Sequence, residues 1–380
     1  MSSMLYASGT PVELHLLLPV RGPLALARAL ILRTRRQWLR LRGKPVAQHY
    51  APDVAAIVAT LGGTGGHVIV HAIDRGDRAL ARATRRLQLD VLLPSFEPLP
   101  YGRGIRWVGY LYDFQHRYLA HLFAADECAR RDAAMARMLD TASAVIVNAQ
   151  AVAEDVRTFF PQAKARVFAL PFAPVPNRSW FDLDVSGTQA RYNIRGEYFI
   201  VCNQFWTHKN HAVAFDAFAS IARENPQVSL VCTGATSDHR DPEFFGELME
   251  RATALGVRER LHILGLIPKL DQIALMRGAL ALVQPTLFEG GPGGGAVYDA
   301  IGVGQRCIVS DIPVNRELDE PGIVFFPPHD SAALARAMAR MLAEPVGSTA
   351  SADSLMALGR ARRAAGGARL LEAIACARSR

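Results

Sequence analysis

From Tyr198 to Phe326, short apolar runs alternate with stretches of helical spacing, and this alternation restricts the fold more than any other property of the chain. Runs at Tyr198–Cys202, Ser229–Thr233, Leu261–Leu264, Ala281–Gln284, Cys307–Ser310 and Ile323–Phe326 read as strands. Helices are predicted between them at His211–Arg223, Pro242–Leu255, Leu270–Arg277 and Ala296–Val303, and after them at Ser331–Leu342 and Leu355–Ala375. A chain that returns through a helix to begin each new short strand builds a parallel, doubly wound α/β sheet.

The first half repeats the pattern less regularly. Strands are expected at Val12–Leu18, His67–Ile73, Val91–Leu93, Trp107–Leu111 and Ala144–Val147, with helical spacing through Cys128–Leu139 and Ala151–Phe160. From Pro171 to about Arg195 three prolines fall close together and are followed by polar residues without helical period. The expected organisation is therefore an N-terminal Rossmann-like domain at 1–170, a linker at 171–195 and a second such domain at 196–354. A helix at 355–380 would cross back to the first domain. At 380 residues two cores are more natural than one. Such sheets bind ligands outside the carboxyl ends of their strands, which points to the cleft between the domains.

Half of the residues are hydrophobic and 21% are charged, the composition of a folded globular chain. No apolar run reaches the roughly 18–20 residues a membrane span needs, and the short run near the start lacks a basic flank. The five cysteines are dispersed without a CxxC pair, which fits reduced thiols and a cytoplasmic location, with no disulfide framework or zinc site. The net charge of +8 is unevenly placed, because no acid occurs between Glu13 and Asp53. Arg21–Lys44 interleaves arginines with leucines and Trp38. It reads either as a helix lying on the anionic inner face of the plasma membrane or as a core-facing helix with a solvated arginine face. No module for reading nucleic acid is visible.

The chemistry concentrates at Glu289-Gly290-Gly291-Pro292-Gly293-Gly294-Gly295, between a strand end and a helix start. Glycines clear the approach to an oxygen-rich ligand, and the unpaired first amides of the helix, with its dipole, suit a diphosphate. Glu289 stands at the strand end, and Asp299 on the helix is placed to accept from a ribose hydroxyl pair. Two acids beside a diphosphate require a cation, and Lys209, after the Tyr198–Cys202 strand, opens onto the same cleft edge. In the first half, Asp113 and His116 follow one strand and Asn148 ends another. Each is read as a cleft residue or a structural one. The Asp182–Asp184 pair reads as solvated loop rather than as a metal site.

These residues resemble the retaining family 4 glycosyltransferases of the GT-B fold, including those of bacterial polysaccharide and O-antigen (lipopolysaccharide) biosynthesis. The resemblance covers roughly Ala144–Leu342, and more loosely the whole chain. It implies two Rossmann-like domains facing each other across a cleft, a nucleotide-sugar donor and no required metal or other cofactor. It implies that Glu289 lies near the sugar hydroxyls, Asp299 on the ribose and Lys209 on the diphosphate. Gln204 occupies a position where the family usually has an arginine, so Arg316 or another basic group would have to complete the neutralisation. Gly265 and Ile267 would belong to the segment that reads the base. Gly293, Gly294, Gly295 and Val297 would line the donor site, and His116 would sit near the donor sugar, with Asp113 and Asn148 on the acceptor side. Nine residues separate Glu289 from Asp299, more than the family's usual spacing.

The reaction so implied moves a mannose-, rhamnose- or glucose-like hexose from a nucleoside-diphosphate sugar to a glycan or lipid-linked acceptor, with retention, and Glu289, Lys209 and His116 are its candidate catalytic residues. The alternatives are a nucleotide-sugar epimerase or hydrolase on the same scaffold and a non-catalytic nucleotide-sugar-binding protein.

Overall fold

The computed structural model describes residues 1–20, 68–74, 76–99, 104–238, 240–344 and 350–379. The basic Arg21–Lys44 segment and His67, the expected start of one strand, lie outside the described residues.

In the N-terminal half, β1 (Leu14–Val20) pairs in parallel with β2 (Val68–Asp74). Beyond them β3 (Leu92–Ser95), β4 (Trp107–Tyr110), β5 (Ala144–Val147) and β6 (Arg166–Ala169) form a four-stranded parallel sheet in chain order. Strand β6 was not visible in the sequence. It opens on an exposed arginine and buries only Phe168 and Ala169 fully, too short an apolar run to stand out.

The C-terminal half holds β7 (Tyr198–Cys202), β8 (Ser229–Thr233), β9 (Leu261–Gly265), β10 (Leu282–Gln284), β11 (Cys307–Ser310) and β12 (Ile323–Phe326). All pair in parallel in the order β12-β11-β10-β7-β8-β9. The winding thus starts at the centre, runs to one edge, returns, and runs to the other. Phe199 and Val201 pack in one core and Tyr198 and Ile200 in the opposite one, so the period-2 alternation of a strand serves two buried faces. On the first face lie the helices His211–Ala222 and Ser331–Ala343; Phe199, Phe215, Phe218 and Phe326 are fully buried there. Each such ring contributes about 1.5–3 kcal/mol relative to exposure.

The expected structureless stretch between the halves is corrected in part. Val185–Arg191 is a helix, capped by Asp184, whose Oδ1 accepts from the Gly187 N–H at 2.9 Å. Its residues are small or polar, so no apolar period announced it, and its shape comes from the cap and from Thr188 buried beneath it. Phe172, Trp180, Phe181 and Leu183 pack on the C-terminal core, which makes the segment a fastened edge of that domain.

The final helix, Ala352–Arg378, leaves the C-terminal domain and packs against the N-terminal sheet. Leu370, Ala373 and Ala377 share a core with Val108, Ala144, Ile146 and Phe168, and with Leu5 of the first helix, Ser2–Ala7. Among the described residues no helix is long and apolar enough to cross a membrane.

Two buried histidines make this fold acid-sensitive. His211 stacks on Phe205 with ring centroids 4.1 Å apart, and burial and then the Lys209 charge push its pKa down to about 3. His208 is likewise lowered to about 3 by burial, then by Lys209 and Arg240. Both are neutral in the fold but protonate near their ordinary 6.5 when unfolded, so their stability is complete above that pH and is lost as pH falls toward 3. The loss reaches about 1.4 kcal/mol per pH unit for each histidine. Melting temperature is expected to drop between about pH 7 and pH 5, and to drop less in His211→Leu. An identical slope in that variant would exclude His211 as a source.

Candidate functional site

Because strand order reverses between β7 and β10, the segments that follow these two strands leave the sheet toward opposite sides and a crevice opens between them. The first brings Lys209 and the second brings Glu289, which meet with Nζ 2.5 Å from Oε1. Their side chains are only 14% and 12% exposed. Gln284, the last residue of β10, donates to the same Oε1 at 3.1 Å, and Asn203 donates to the Gln284 Oε1 at 2.8 Å. A row of strand-end polar groups therefore fixes the glutamate before any ligand arrives.

Gly293 turns the loop into the helix Gly294–Gly302 with φ +65, and a Cβ there would lie 2.3 Å from Val297. Its N–H donates to Asn315 Oδ1 at 2.7 Å, while Asn315 Nδ2 donates to the Ser310 carbonyl at 2.8 Å. One buried amide thus ties the glycine loop to the end of β11. The helix begins two residues before the expected Ala296 because glycine permits the left-handed entry. Gly295 and Ala296 line the crevice in its first turn, where backbone N–H groups have no acceptor within the helix.

Asp299 pairs with Lys269, the first residue of the helix Lys269–Gly278 after β9. Burial raises the Asp299 pKa, and the Lys269 ammonium pulls it back. Gln204, Lys209, Lys269, Glu289, Gly295 and Asp299 line one cavity of about 560 Å³. A second, of about 390 Å³, shares Glu289, Gly295 and Tyr298, adds Gly294 of the same helix, and takes Tyr112, Asp113 and Asn148 from across the interdomain gap. Asp113 follows β4 and its Oδ1 accepts from the Gln115 N–H at 3.0 Å. Asn148 follows β5 and its Oδ1 accepts from the Tyr110 hydroxyl at 2.5 Å.

Several residues expected at the site stand away from these cavities. His116 does not line either cavity; it is 1% exposed, and Nε2 lies 2.8 Å from Asp132 Oδ1 on the helix Ala125–Thr141. The short helix Gln115–Tyr118 turns it inward. Val297 is wholly buried in the core with Ile200 and Val309, on the helix face opposite the ligand side. Gly265 and Ile267 also stay out of the lining: the Gly265 carbonyl accepts from the Gly234 N–H at 2.8 Å, and Ile267 packs on the core. Arg316 pairs with Asp311 and lies over Phe325, so Lys269 is the second cation of the crevice. Sequence reading missed Lys269 because a lone lysine at a helix start carries no pattern. It also missed Tyr298, whose burial pushes its hydroxyl up to about 12.

The halves touch around the crevice. Glu317 accepts from the Gln150 and Ala151 N–H groups at 2.9 and 2.8 Å, so a C-terminal-domain carboxylate caps the N-terminal-domain helix Gln150–Phe159. Ile312 and Val314 enter the N-terminal core beside it. A Cβ on Gly290 would stand 2.8 Å from the Tyr112 carbonyl, so glycine is what lets the loop close against the other half.

This architecture is the GT-B fold, two doubly wound parallel domains across a cleft. Residues 189–364 match the family model described as glycosyl transferases group 1, which places that family's pattern on the C-terminal domain. The search of curated proteins found no match. Among solved structures, the fold is similar to HepE of Anabaena in complex with UDP and glucose, with TM-score 0.62 and 17% identity over 86% of this chain and 90% of that one. A glycosyltransferase from Rickettsia africae aligns with TM-score 0.58 and 12% identity over 97% of both chains. WaaG, a glycosyltransferase involved in lipopolysaccharide biosynthesis, aligns with TM-score 0.56 and 15% identity over 83% and 92%.

Removing the anchor of the glycine loop tests its construction. Asn315→Ala leaves the Gly293 N–H and the Ser310 carbonyl without their partner, and is expected to cost about 1–3 kcal/mol in urea unfolding. A change below a few tenths would show that the loop holds its shape without Asn315.

Proposed function

We propose that this protein is a retaining glycosyltransferase that moves a mannose-, rhamnose- or glucose-like hexose from a nucleoside-diphosphate sugar to a glycan or lipid-linked acceptor in bacterial surface polysaccharide assembly. The observation that carries this reading is the meeting of Lys209, Lys269, Glu289, Asp299 and a glycine-led helix start in one crevice at the strand reversal. The family pattern over residues 189–364 and the sugar-nucleotide and lipopolysaccharide enzymes among its structural neighbours support it.

In this reading the diphosphate rests against the Gly295 and Ala296 amides, with the two ammonium groups on its oxygens and Gln204 as a neutral donor. Asp299 accepts from the ribose hydroxyls and Glu289 from the hexose. The bond from the anomeric carbon to the diphosphate breaks as the acceptor oxygen bonds to the same face, and the acceptor proton leaves on the departing diphosphate oxygen. Negative charge grows on that oxygen, where preorganised amides and cations lower the barrier most. Since the protein itself supplies that charge, the reading assigns no role to a metal or other cofactor. Asp113 and Asn148 face the acceptor, and closure of the halves aligns its hydroxyl and excludes water. The basic composition of Arg21–Lys44 underlies the lipid-linked acceptor and a peripheral position on the inner membrane face.

Lys209→Met and Glu289→Gln are each expected to lower the turnover of the folded protein about 100-fold or more, the size seen when one charge-stabilising group is lost, and Lys209→Met should also lower the unfolding midpoint because it leaves the nearly buried Glu289 unpaired. Full turnover in either folded variant removes that residue from the mechanism. Donor incubated alone should remain unaltered apart from slow hydrolysis; a changed sugar would instead mark an epimerase.

Nucleotide binding should weaken on acidification. Ionised Asp299 can accept from both ribose hydroxyls, whereas its protonated form loses one of those acceptors, and burial has raised its pKa, so affinity falls at a higher pH than an ordinary aspartate would give. Lys269→Met, which removes the lowering influence, should move that midpoint further up. Calorimetric titration with UDP, GDP, dTDP or CMP from neutral pH down through the ordinary carboxylate range reads both effects. A pH-independent affinity would detach Asp299 from the nucleotide.

A further inference from the structure

Three aromatic side chains cluster on the N-terminal domain, outside the lining of the cavity that holds Lys209, Lys269 and Asp299. Phe96 follows β3, Tyr110 ends β4 and Tyr112 lies two residues beyond. Phe96 and Tyr112 are stacked, with centroids 5.3 Å apart and planes at 9°, while Tyr110 meets each edge-on at 5.3 and 4.9 Å. Phe96 and Tyr112 are 52% and 53% exposed. A fold that hides most of its large rings rarely leaves two of them side by side in water without a partner for them.

Their position says what the partner is. The cluster stands outside the carboxyl ends of β3 and β4, and Tyr112 lines the same cavity as Asp113, Asn148 and Glu289. The Tyr110 hydroxyl is bound to Asn148, which joins the aromatic surface to the polar wall. Burial raises the Tyr110 pKa, so that hydroxyl remains a donor at neutral pH. An exposed aromatic face backed by a second, stacked ring and rimmed by a carboxylate, an amide and phenol oxygens matches a pyranose, which has an apolar C–H face and a hydroxyl edge. An acyl chain would leave the polar rim unused.

We infer that Phe96, Tyr110 and Tyr112 form the platform on which a sugar ring of the acceptor stacks, with Asp113 and Asn148 receiving its hydroxyls. This rests on the glycosyltransferase reading and adds to it the acceptor class, a glycan presented ring-face down. The rings fix the plane of the acceptor, and the hydroxyl beside Glu289 and Asp113 is the one brought to the donor.

The test uses the full chain and saturation-transfer NMR with methyl α-glucoside, methyl α-mannoside and methyl α-rhamnoside as probes. Saturation is expected to reach the ring C–H protons of at least one probe, to fall about fivefold or more in Phe96→Ala/Tyr112→Ala, and to persist in Tyr112→Phe, which keeps the ring. The thermal shift produced by nucleoside diphosphates should be equal in all three proteins, which reports the donor site separately. Undiminished transfer in the double variant, or none from any probe to the unaltered protein, overturns the platform. If the double variant instead loses sedimentation with phosphatidylglycerol vesicles and keeps its sugar signal, the rings belong to a lipid surface and the proposal falls. If no nucleoside diphosphate shifts any of the proteins, the glycosyltransferase reading fails whatever the sugars do.

Discussion

The ion pair between Lys209 and Glu289 spans the one place in the C-terminal sheet where neighbouring strands send their chains apart. Everything around it follows from that location. A parallel sheet wound from its centre opens a crevice beyond the carboxyl ends of its paired central strands β7 and β10. Here two loops of opposite charge fill it. The glutamate is held by Gln284 and Asn203 from the strand ends, and the lysine arrives through a turn built on buried His208 and His211. Desolvating two charges is costly unless each has its partner, so the pair can exist only while both loops keep their path.

The same logic governs Asp299 and Lys269. Each acid of the crevice rests against a cation supplied by a different strand-to-helix junction. In the proposed reading, a diphosphate entering this crevice meets Lys209 already withdrawn from water by Glu289, while Lys269 is half exposed and held at one end by Asp299. That arrangement reduces the ordering cost of binding, which is where preorganised sites gain their affinity.

The fold was legible to the extent that it is repetitive. All six strands of the C-terminal sheet were marked by apolar runs, and Ser229–Thr233 and Cys307–Ser310 coincide with the structure end to end. Strand β6 and the helix Val185–Arg191 escaped because their shape rests on capping and on contact with distant residues rather than on local apolar period. Within the site, Glu289, Lys209, Asp299 and the glycines could be singled out because glycine density and strand-end acids are local signals. Lys269 and Asn315 could not, since their importance comes only from the partners that the fold brings to them. Val297 and His116 show the converse error. Each lies in the right stretch of sequence, but a helix puts successive residues on different faces, and these two face inward.

The crossing of the last helix reverses the usual order of domain completion. A chain emerging from the ribosome normally closes its first domain before the second is made. Here the face of the N-terminal sheet formed by Val108, Ala144, Ile146 and Phe168 waits for Leu370, Ala373 and Ala377, which are translated after the whole C-terminal domain. During synthesis the second domain can therefore be finished while the first still shows an open apolar wall. That wall is covered only when the final helix crosses over, which adds a second clasp to the one that Ile312, Val314 and Glu317 make between the halves.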